Sequence, residues 1–146
     1  AASPVVLDDP AAVAGKRVMV VEDGPSLTHG GMAFGAGAVA VGQVAGVTLV
    51  DPRSTAPFNI AAIFEKYPHI GRVLPALGYN AQQRGDLRQT IETSAAEVVV
   101  AATPIDLAPL LALTKPVVRA RYEFAETGGE PSLSAILDQF VARGGR

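Results

Sequence analysis

The sequence predicts an α/β fold: a three-layer, Rossmann-like parallel sheet of about five strands with helices on both faces. Short apolar runs bounded by turn residues alternate with helix-like stretches, which is the spacing of right-handed βαβ units. Val98, Val99 and Val100 follow one another without polar alternation, as in a parallel strand covered on both faces. Of the 146 residues, 49% are hydrophobic and 18% are charged, which favours a single packed domain over 1–146.

Composition and charge exclude several classes of protein. The net charge is −2, so neither a nucleic-acid backbone nor an anionic membrane is expected as a partner. The chain has no cysteine, which excludes disulfides, thiolate zinc sites and cysteine nucleophiles. No apolar run approaches the roughly 18 residues of a membrane span. The first residues lack the features of a signal peptide and an initiator Met, so we expect a piece of a longer protein.

Local signals predict the elements in the first half of the chain. Asp9 and Pro10 are suited to cap and begin a short helix over 11–14. Apolar runs predict strands, and apolar residues at helical spacing predict helices. On these signals there are strands at 17–22, 47–50 and 72–74, and helices at 30–45 and 57–67.

The second half follows the same alternation. It contains a helix at 79–93, a strand at 97–102, a short helix ending at 113, a strand at 117–122, a loop at 126–131 and a last helix at 132–143. Arg119 and Arg121 fall on the same side of the strand at 117–122. Because unpaired guanidinium groups are costly to bury, this strand is an edge strand, or its arginines meet carboxylates, another subunit or another domain.

The stretch 17–37 carries the clearest functional signal, which is a strand, a small polar loop and a glycine-rich helix. This layout directs backbone N–H groups and a helix N-terminus at an anion. We predict that Thr28, His29, Gly30 and Gly31 bind a phosphoryl or carboxylate group; the alternative is a plain helix cap by Thr28. Neither GxxxxGK[ST] nor GxGxxG occurs, so neither standard nucleotide-binding loop is present in the chain.

Ligands of open parallel sheets bind beyond the carboxyl ends of the strands. The predicted strands are followed by polar or glycine-rich segments that could meet in such a crevice. We predict His29 and Asp23 as catalytic residues, and the following as substrate contacts: Gly24, Thr28, Gly30, Gly31, Arg53, His69, Thr103 and Asp106.

The charged candidates each have a structural alternative. Asp23 suits magnesium or a substrate hydroxyl, and suits a helix or turn cap equally well. Arg53 could hold a phosphate or carboxylate with two N–H groups, or form a salt bridge with Asp51. His69 could transfer protons or have a structural role, and Asp106 could cap the helix that follows it. The sequence shows no cluster of metal ligands.

Five segments occur in order along the chain: VVEDGPSLTHGGMAFGAG, LVDPRS, FEKYPHIGRVLPALGY, ATPIDL and KPVVRARYEF. Together they resemble the C-terminal third of a family of predicted GTPases related to cyclic 2,3-diphosphoglycerate synthetase. The likeness covers residues 6–140. It implies a longer cytoplasmic protein in which an upstream P-loop domain binds ATP or GTP with Mg²⁺, whereas this chain holds no cofactor itself.

The resemblance also implies a function for this chain. It would be the domain of a phosphotransfer or cyclising enzyme that binds a small anionic, phosphorylated ligand, and it would be inactive without the upstream P-loop domain. The alternative is a non-catalytic docking or dimerisation module that uses the strand at 117–122 and forms a homo-oligomer. A self-contained small enzyme is less well supported, because the sequence lacks a nucleotide-binding loop.

Overall fold

The computed structural model describes residues 4–122. In chain order, its elements are β1 (Val5–Leu7), α1 (Pro10–Val13), β2 (Arg17–Asp23), α2 (Gly24–Thr28), α3 (Ala36–Gly42), β3 (Thr48–Leu49), a 3₁₀ turn (Pro52–Ser54), α4 (Phe58–Lys66), β4 (Leu74–Ala76), α5 (Ala81–Glu92), β5 (Val98–Ala102), α6 (Leu107–Leu110) and β6 (Val117–Tyr122).

Six strands form one mostly parallel sheet in the order β1-β6-β5-β2-β3, and β4 also pairs with β2. β3 pairs with the beginning of β2, at Arg17 and Val18, whereas β4 pairs with its end. β1 runs antiparallel to β6, and the other pairings are parallel. β2 is therefore the central strand, and its residues 18–22 are all buried.

Helices cover the sheet, so the predicted α/β architecture is confirmed, with six strands in place of about five. α3 packs against β1, β2, β5 and β6, and α4 contacts α5. The crossovers β2–β3 and β4–β5 run in opposite directions across the sheet, so right-handed connections put α3 and α5 on opposite faces. Among residues 4–122, no helix combines the length and apolarity needed to cross a bilayer.

Two helix starts follow from their local sequence. At α1, Asp9 Oδ1 accepts a hydrogen bond from the N–H of Ala12 at 3.3 Å and Pro10 is the first residue, as predicted. α5 begins with a capping box. The Asn80 side chain accepts from the N–H of Gln83, and the Gln83 side chain accepts from the N–H of Asn80. The reciprocal bonds fix both the start of α5 and the orientation of these two carboxamide groups.

The helix predicted at 30–45 is found only over Ala36–Gly42, and its predicted start is wrong. Two shorter helices, α2 and α3, flank an irregular loop at 29–35. Gly31 in this loop has a φ of 67°, a left-handed conformation that a helix does not contain. The paired glycines therefore form a loop and do not begin a helix.

The strands predicted at 17–22, 47–50, 97–102 and 117–122 are found with small shifts in their bounds. The strand predicted at 72–74 lies at Leu74–Ala76 and includes Pro75, which is tolerated because β4 pairs with only one neighbour in the described part of the sheet. β1 is an additional strand. The loop predicted at 126–131 and the helix at 132–143 lie outside the described residues.

β6 lies between β5 and β1, so of the alternatives for the strand at 117–122, the edge strand is not found. Its arginines are engaged within the protein. Arg121 Nε donates to Asp8 Oδ1 at 2.7 Å, and Arg119 Nη2 donates to the carbonyl oxygen of Pro104 at 2.7 Å. The alternative that these arginines meet carboxylates is therefore confirmed for Arg121.

Candidate functional site at the carboxyl edge

Three neighbouring strands, β4, β2 and β5, end at the same edge of the sheet, which we call the carboxyl edge. The segments that follow them are 77–80, 23–35 and 103–106. Loop 29–35 returns to this edge, because Gly35 lies against the carboxylate of Glu22. Most of the predicted site residues therefore lie on segments that meet here.

Glu22, near the end of β2, is a carboxylate that is only 2% exposed. Its Oε1 accepts a hydrogen bond from the N–H of Ala38 in the first turn of α3, at 2.8 Å. Burial raises the pKa of the Glu22 carboxyl above its ordinary value of 4.5. Hydrogen bonds from the amides of Ala38, Gly37 and Gly35 lower this pKa, but burial is the larger effect. Glu22 thus caps α3 from a strand that lies elsewhere in the sequence.

This arrangement corrects the predicted anion cradle. The N–H groups of His29 and Gly30 donate to the carbonyl oxygen of Pro25, at 2.9 and 3.2 Å, and so close α2. The front of the glycine-rich helix α3 is occupied by the Glu22 carboxylate. An anion at either position would compete with a bond that the protein already makes.

The raised pKa of Glu22 predicts a pH dependence of stability. The folded state holds this proton more tightly than the unfolded state does, so the stabilisation is complete below the ordinary pKa. It is lost as the pH rises through the raised value. We expect the unfolding free energy of the wild type, minus that of Glu22→Gln, to fall as the pH increases above about 4.5. Urea titrations of both proteins at several pH values measure this difference, and a difference that rises with pH would contradict the assignment.

Thr28 and Gly24 have structural contacts. Thr28 lies at the end of α2, where its hydroxyl donates to the carbonyl oxygen of Gly24 at 3.2 Å, so it does not cap a helix N-terminus. Gly24 is buried, and a Cβ there would lie 2.4 Å from Leu77 Cδ2. Gly31 differs, since it is exposed and has open space around it.

Arg53 is bound within the protein. Its Nη1 lies 3.2 Å from Asp51 Oδ1 and 3.0 Å from the carbonyl oxygen of Gly71, and its Nη2 donates to the carbonyl oxygen of Ile70. Its guanidinium carbon also lies 4.1 Å from the centre of the Phe64 ring. The alternative of a salt bridge with Asp51 is therefore confirmed. The N–H of Gly71 in turn donates to the carbonyl oxygen of Ala33 at 2.7 Å, so Arg53 lies close to loop 29–35.

His69 and Thr103 connect loops. His69 Nε2 donates to the carbonyl oxygen of Leu27 at 2.8 Å, which ties the segment before β4 to α2. Thr103 is 5% exposed, and its hydroxyl oxygen lies 3.2 Å from the Tyr79 hydroxyl and accepts from the N–H of Ile105 at 3.2 Å. Both contacts hold the segments of the carboxyl edge in place.

Asp23, His29 and Asp106 are exposed, and no hydrogen bond joins their side chains to another residue in the range 4–122. Asp23 and Asp106 are the residues before α2 and α6, yet neither carboxylate caps its helix. Two carboxylates and an imidazole can bind hydroxyl or amino groups and exchange protons with them. Over 4–122 there is no group of three or more His, Asp or Glu residues that could hold a metal ion.

Exposed apolar side chains accompany these polar groups. Met32 and Phe34 in loop 29–35 are 49% and 51% exposed, Leu77 after β4 is 40% exposed and Ile105 after β5 is 36% exposed. These are four of the six large hydrophobic side chains that are exposed in the described part of the chain. Apolar side chains concentrated at one edge are typical of a surface that another molecule covers.

Comparison with known proteins gives one informative match. No family model matches the chain, and no solved structure matches it. The chain is 46% identical, over 141 residues, to a protein of Thermococcus kodakarensis named arginine synthetase ArcE. The alignment covers 97% of this chain but 31% of that protein. The chain is thus similar, along nearly its whole length, to about one third of a longer protein that is named a synthetase.

Proposed function

We propose that the chain is the C-terminal domain of a cytoplasmic, nucleotide-dependent synthetase related to the cyclic 2,3-diphosphoglycerate synthetase family. The observation that carries the proposal is the 46% identity with part of a protein named a synthetase. Since the alignment covers 31% of that protein, the remainder has ample length for an upstream P-loop domain. That domain would supply ATP or GTP with Mg²⁺, and the isolated chain would be inactive.

The carboxyl edge is the place where this domain would meet its substrate. Asp23, His29 and Asp106 present side chains that are free to contact a ligand. The imidazole of His29 would contact the anionic group of the substrate and exchange protons with it, and the two carboxylates would orient hydroxyl or amino groups. Because the guanidinium of Arg53 is engaged elsewhere, most of the charge neutralisation would come from the upstream domain.

The exposed apolar residues favour a second role for the same edge, which is docking. Met32 and Phe34 are about half exposed on a loop beside the three polar residues. Contact with the upstream domain would bury them and exclude water from the substrate. A purely non-catalytic docking module would use the same surface and would not require His29.

The experiment uses the full-length parent protein with Mg²⁺ and either ATP or GTP, and it measures phosphate release. Parallel reactions contain 2,3-diphosphoglycerate with the triphosphate, or L-arginine with phosphate and the diphosphate. The second is run in reverse, because a synthetase named for arginine forms it, and triphosphate formation is measured there. We expect turnover by the parent and none by chain 1–146. His29→Ala in the parent should lower kcat/KM by at least about tenfold, or about 1.4 kcal/mol in transition-state stabilisation.

The matched control is Gln43→Ala, which removes an exposed polar side chain at the end of α3 and should leave turnover unchanged. Turnover by the isolated chain would refute the division of labour between the domains. Full activity of the His29→Ala parent would refute the substrate site and leave docking as the function of this edge.

A further inference from the structure

The described part of the chain contains a cleft that adjoins the carboxyl edge through segment 77–80 but includes none of Asp23, His29 and Asp106. It has a volume of about 270 Å³ and lies between α4 and α5, where the turn after β4 closes one end. We call it the α4–α5 cleft. Its volume is near the lower limit of ligand sites, about 300 Å³, so it would accept a ligand the size of an amino acid.

A buried carboxylate lies in this cleft. Asp86 on α5 is 8% exposed, and none of the salt bridges within 4–122 involves it. It accepts two hydrogen bonds, from Asn59 Nδ2 to Oδ2 and from Gln82 Nε2 to Oδ1, each at 3.0 Å. A carboxylate has about four acceptor positions, so Asp86 retains capacity for a further donor. Buried charges in proteins are normally paired, and this one lacks a cation in the described structure.

The neighbouring carboxamides add acceptors. Because a carboxylate only accepts hydrogen bonds, the amide nitrogens of Asn59 and Gln82 must face Asp86. Their carbonyl oxygens remain, and neither accepts a hydrogen bond from residues 4–122. Each carboxamide nitrogen keeps one further N–H, but the unused acceptor positions of Asp86 and of the two carbonyl oxygens outnumber these donors, which suits an ammonium or guanidinium group.

The capping box of α5 places hydrogen-bond donors in another part of the cleft. Asn80 Oδ1 and Gln83 Oε1 are both used to accept backbone N–H groups. Their amide nitrogens donate no hydrogen bond within residues 4–122, so their N–H groups remain as donors for a ligand. Ile60, Ile63 and Leu87 supply apolar lining.

We infer that the α4–α5 cleft binds an organic cation on a short aliphatic chain, with an acceptor such as a carboxylate at its other end. A basic amino acid has this chemistry. Asp86 would receive the cationic group, the apolar residues would contact the chain, and Asn80 and Gln83 would donate to the acceptor. The site is lined by α4, α5, the end of β4 and the turn after it, and it uses none of Asp23, His29 and Asp106, so it goes beyond the proposed function and does not depend on it.

The test is isothermal titration of chain 1–146 with L-arginine and with L-citrulline, a neutral analogue of similar shape. We expect L-arginine to bind with a Kd of about 1 mM or tighter, and L-citrulline to bind at least about tenfold more weakly. Asp86→Asn should weaken L-arginine binding by at least about tenfold. Glu65→Gln removes a carboxylate from the exposed surface of α4 and should leave binding unchanged.

A second measurement decides the question without a substitution. In NMR titrations of the wild-type chain, L-arginine should shift the side-chain amide signals of Asn59 and Gln82. Equal affinities for L-arginine and L-citrulline, or no response of these signals at saturating L-arginine, would overturn the inference. Nucleotide turnover does not enter either measurement, so their failure would leave the proposed function standing.

Discussion

Glu22→Ala is expected to lower the unfolding free energy by about 3 kcal/mol at neutral pH. The substitution removes the buried carboxylate that accepts from the N–H of Ala38, and it leaves that N–H without its partner in the protein. A buried N–H without a partner costs about 1–3 kcal/mol, and the lost packing adds to this cost. Urea unfolding followed by circular dichroism measures the change.

Two further variants identify the cause. Glu22→Gln keeps the shape and one acceptor and should stay within about 1 kcal/mol of the wild type, because it also removes a buried charge. Glu65→Ala deletes an exposed carboxylate and should change stability by less than about 0.5 kcal/mol. If Glu22→Ala were as stable as Glu65→Ala, the cap on α3 would contribute nothing.

The importance of Glu22 was not predictable from local sequence, because its partner is far along the chain. An acidic residue that ends an apolar strand indicates a turn or a ligand as readily as a buried cap. The signal that could have identified it is the combination of that carboxylate with Gly35 and Gly37, where a Cβ would meet its oxygens at 2.4 and 2.9 Å. Only the crossover after β2 brings these positions together.

The strands were predictable because their signal is local. β5 and β2 are continuous apolar runs. Such runs are typical of parallel strands that are covered on both faces, so these strands can be recognised from their own residues. The start of the helix predicted at 30–45 was wrong because an Ala- and Gly-rich composition does not show where a helix begins. Gly31 adopts a positive φ that alanine would resist, and that conformation determines the break.

The candidate site was predicted in part. Asp23 ends β2, His29 follows α2 and Asp106 follows β5. All three are exposed on segments at the carboxyl edge, where the general rule for parallel sheets places ligands. Arg53 differs because Asp51 and the carbonyl oxygens of Ile70 and Gly71 already accept its N–H groups, which the local sequence indicated only for Asp51. The α4–α5 cleft could not be predicted from local sequence. Asn59 and Asp86 are polar residues on separate helices, and only the packing of those helices brings them together.

Gly37→Ala is expected to destabilise the protein by about 2 kcal/mol, although alanine is the better helix former by up to about 1 kcal/mol. A Cβ at this position would lie 2.7 Å from Val20 Cγ1 and 2.9 Å from Ala102 Cβ, on two central strands that cannot move apart easily. Overpacking therefore outweighs helix propensity.

The same substitution at Gly85 should have the opposite sign. Gly85 lies within α5, and a Cβ there meets no atom within 4 Å, so only the gain in helix propensity remains. We expect Gly85→Ala to raise the unfolding free energy by about 0.5–1 kcal/mol. Urea midpoints of the two variants, measured side by side, test whether the glycines of α3 are required by close approach to the sheet. If both substitutions stabilised the protein, α3 would have to lie farther from β2 than described, and the cap by Glu22 would be lost with that contact.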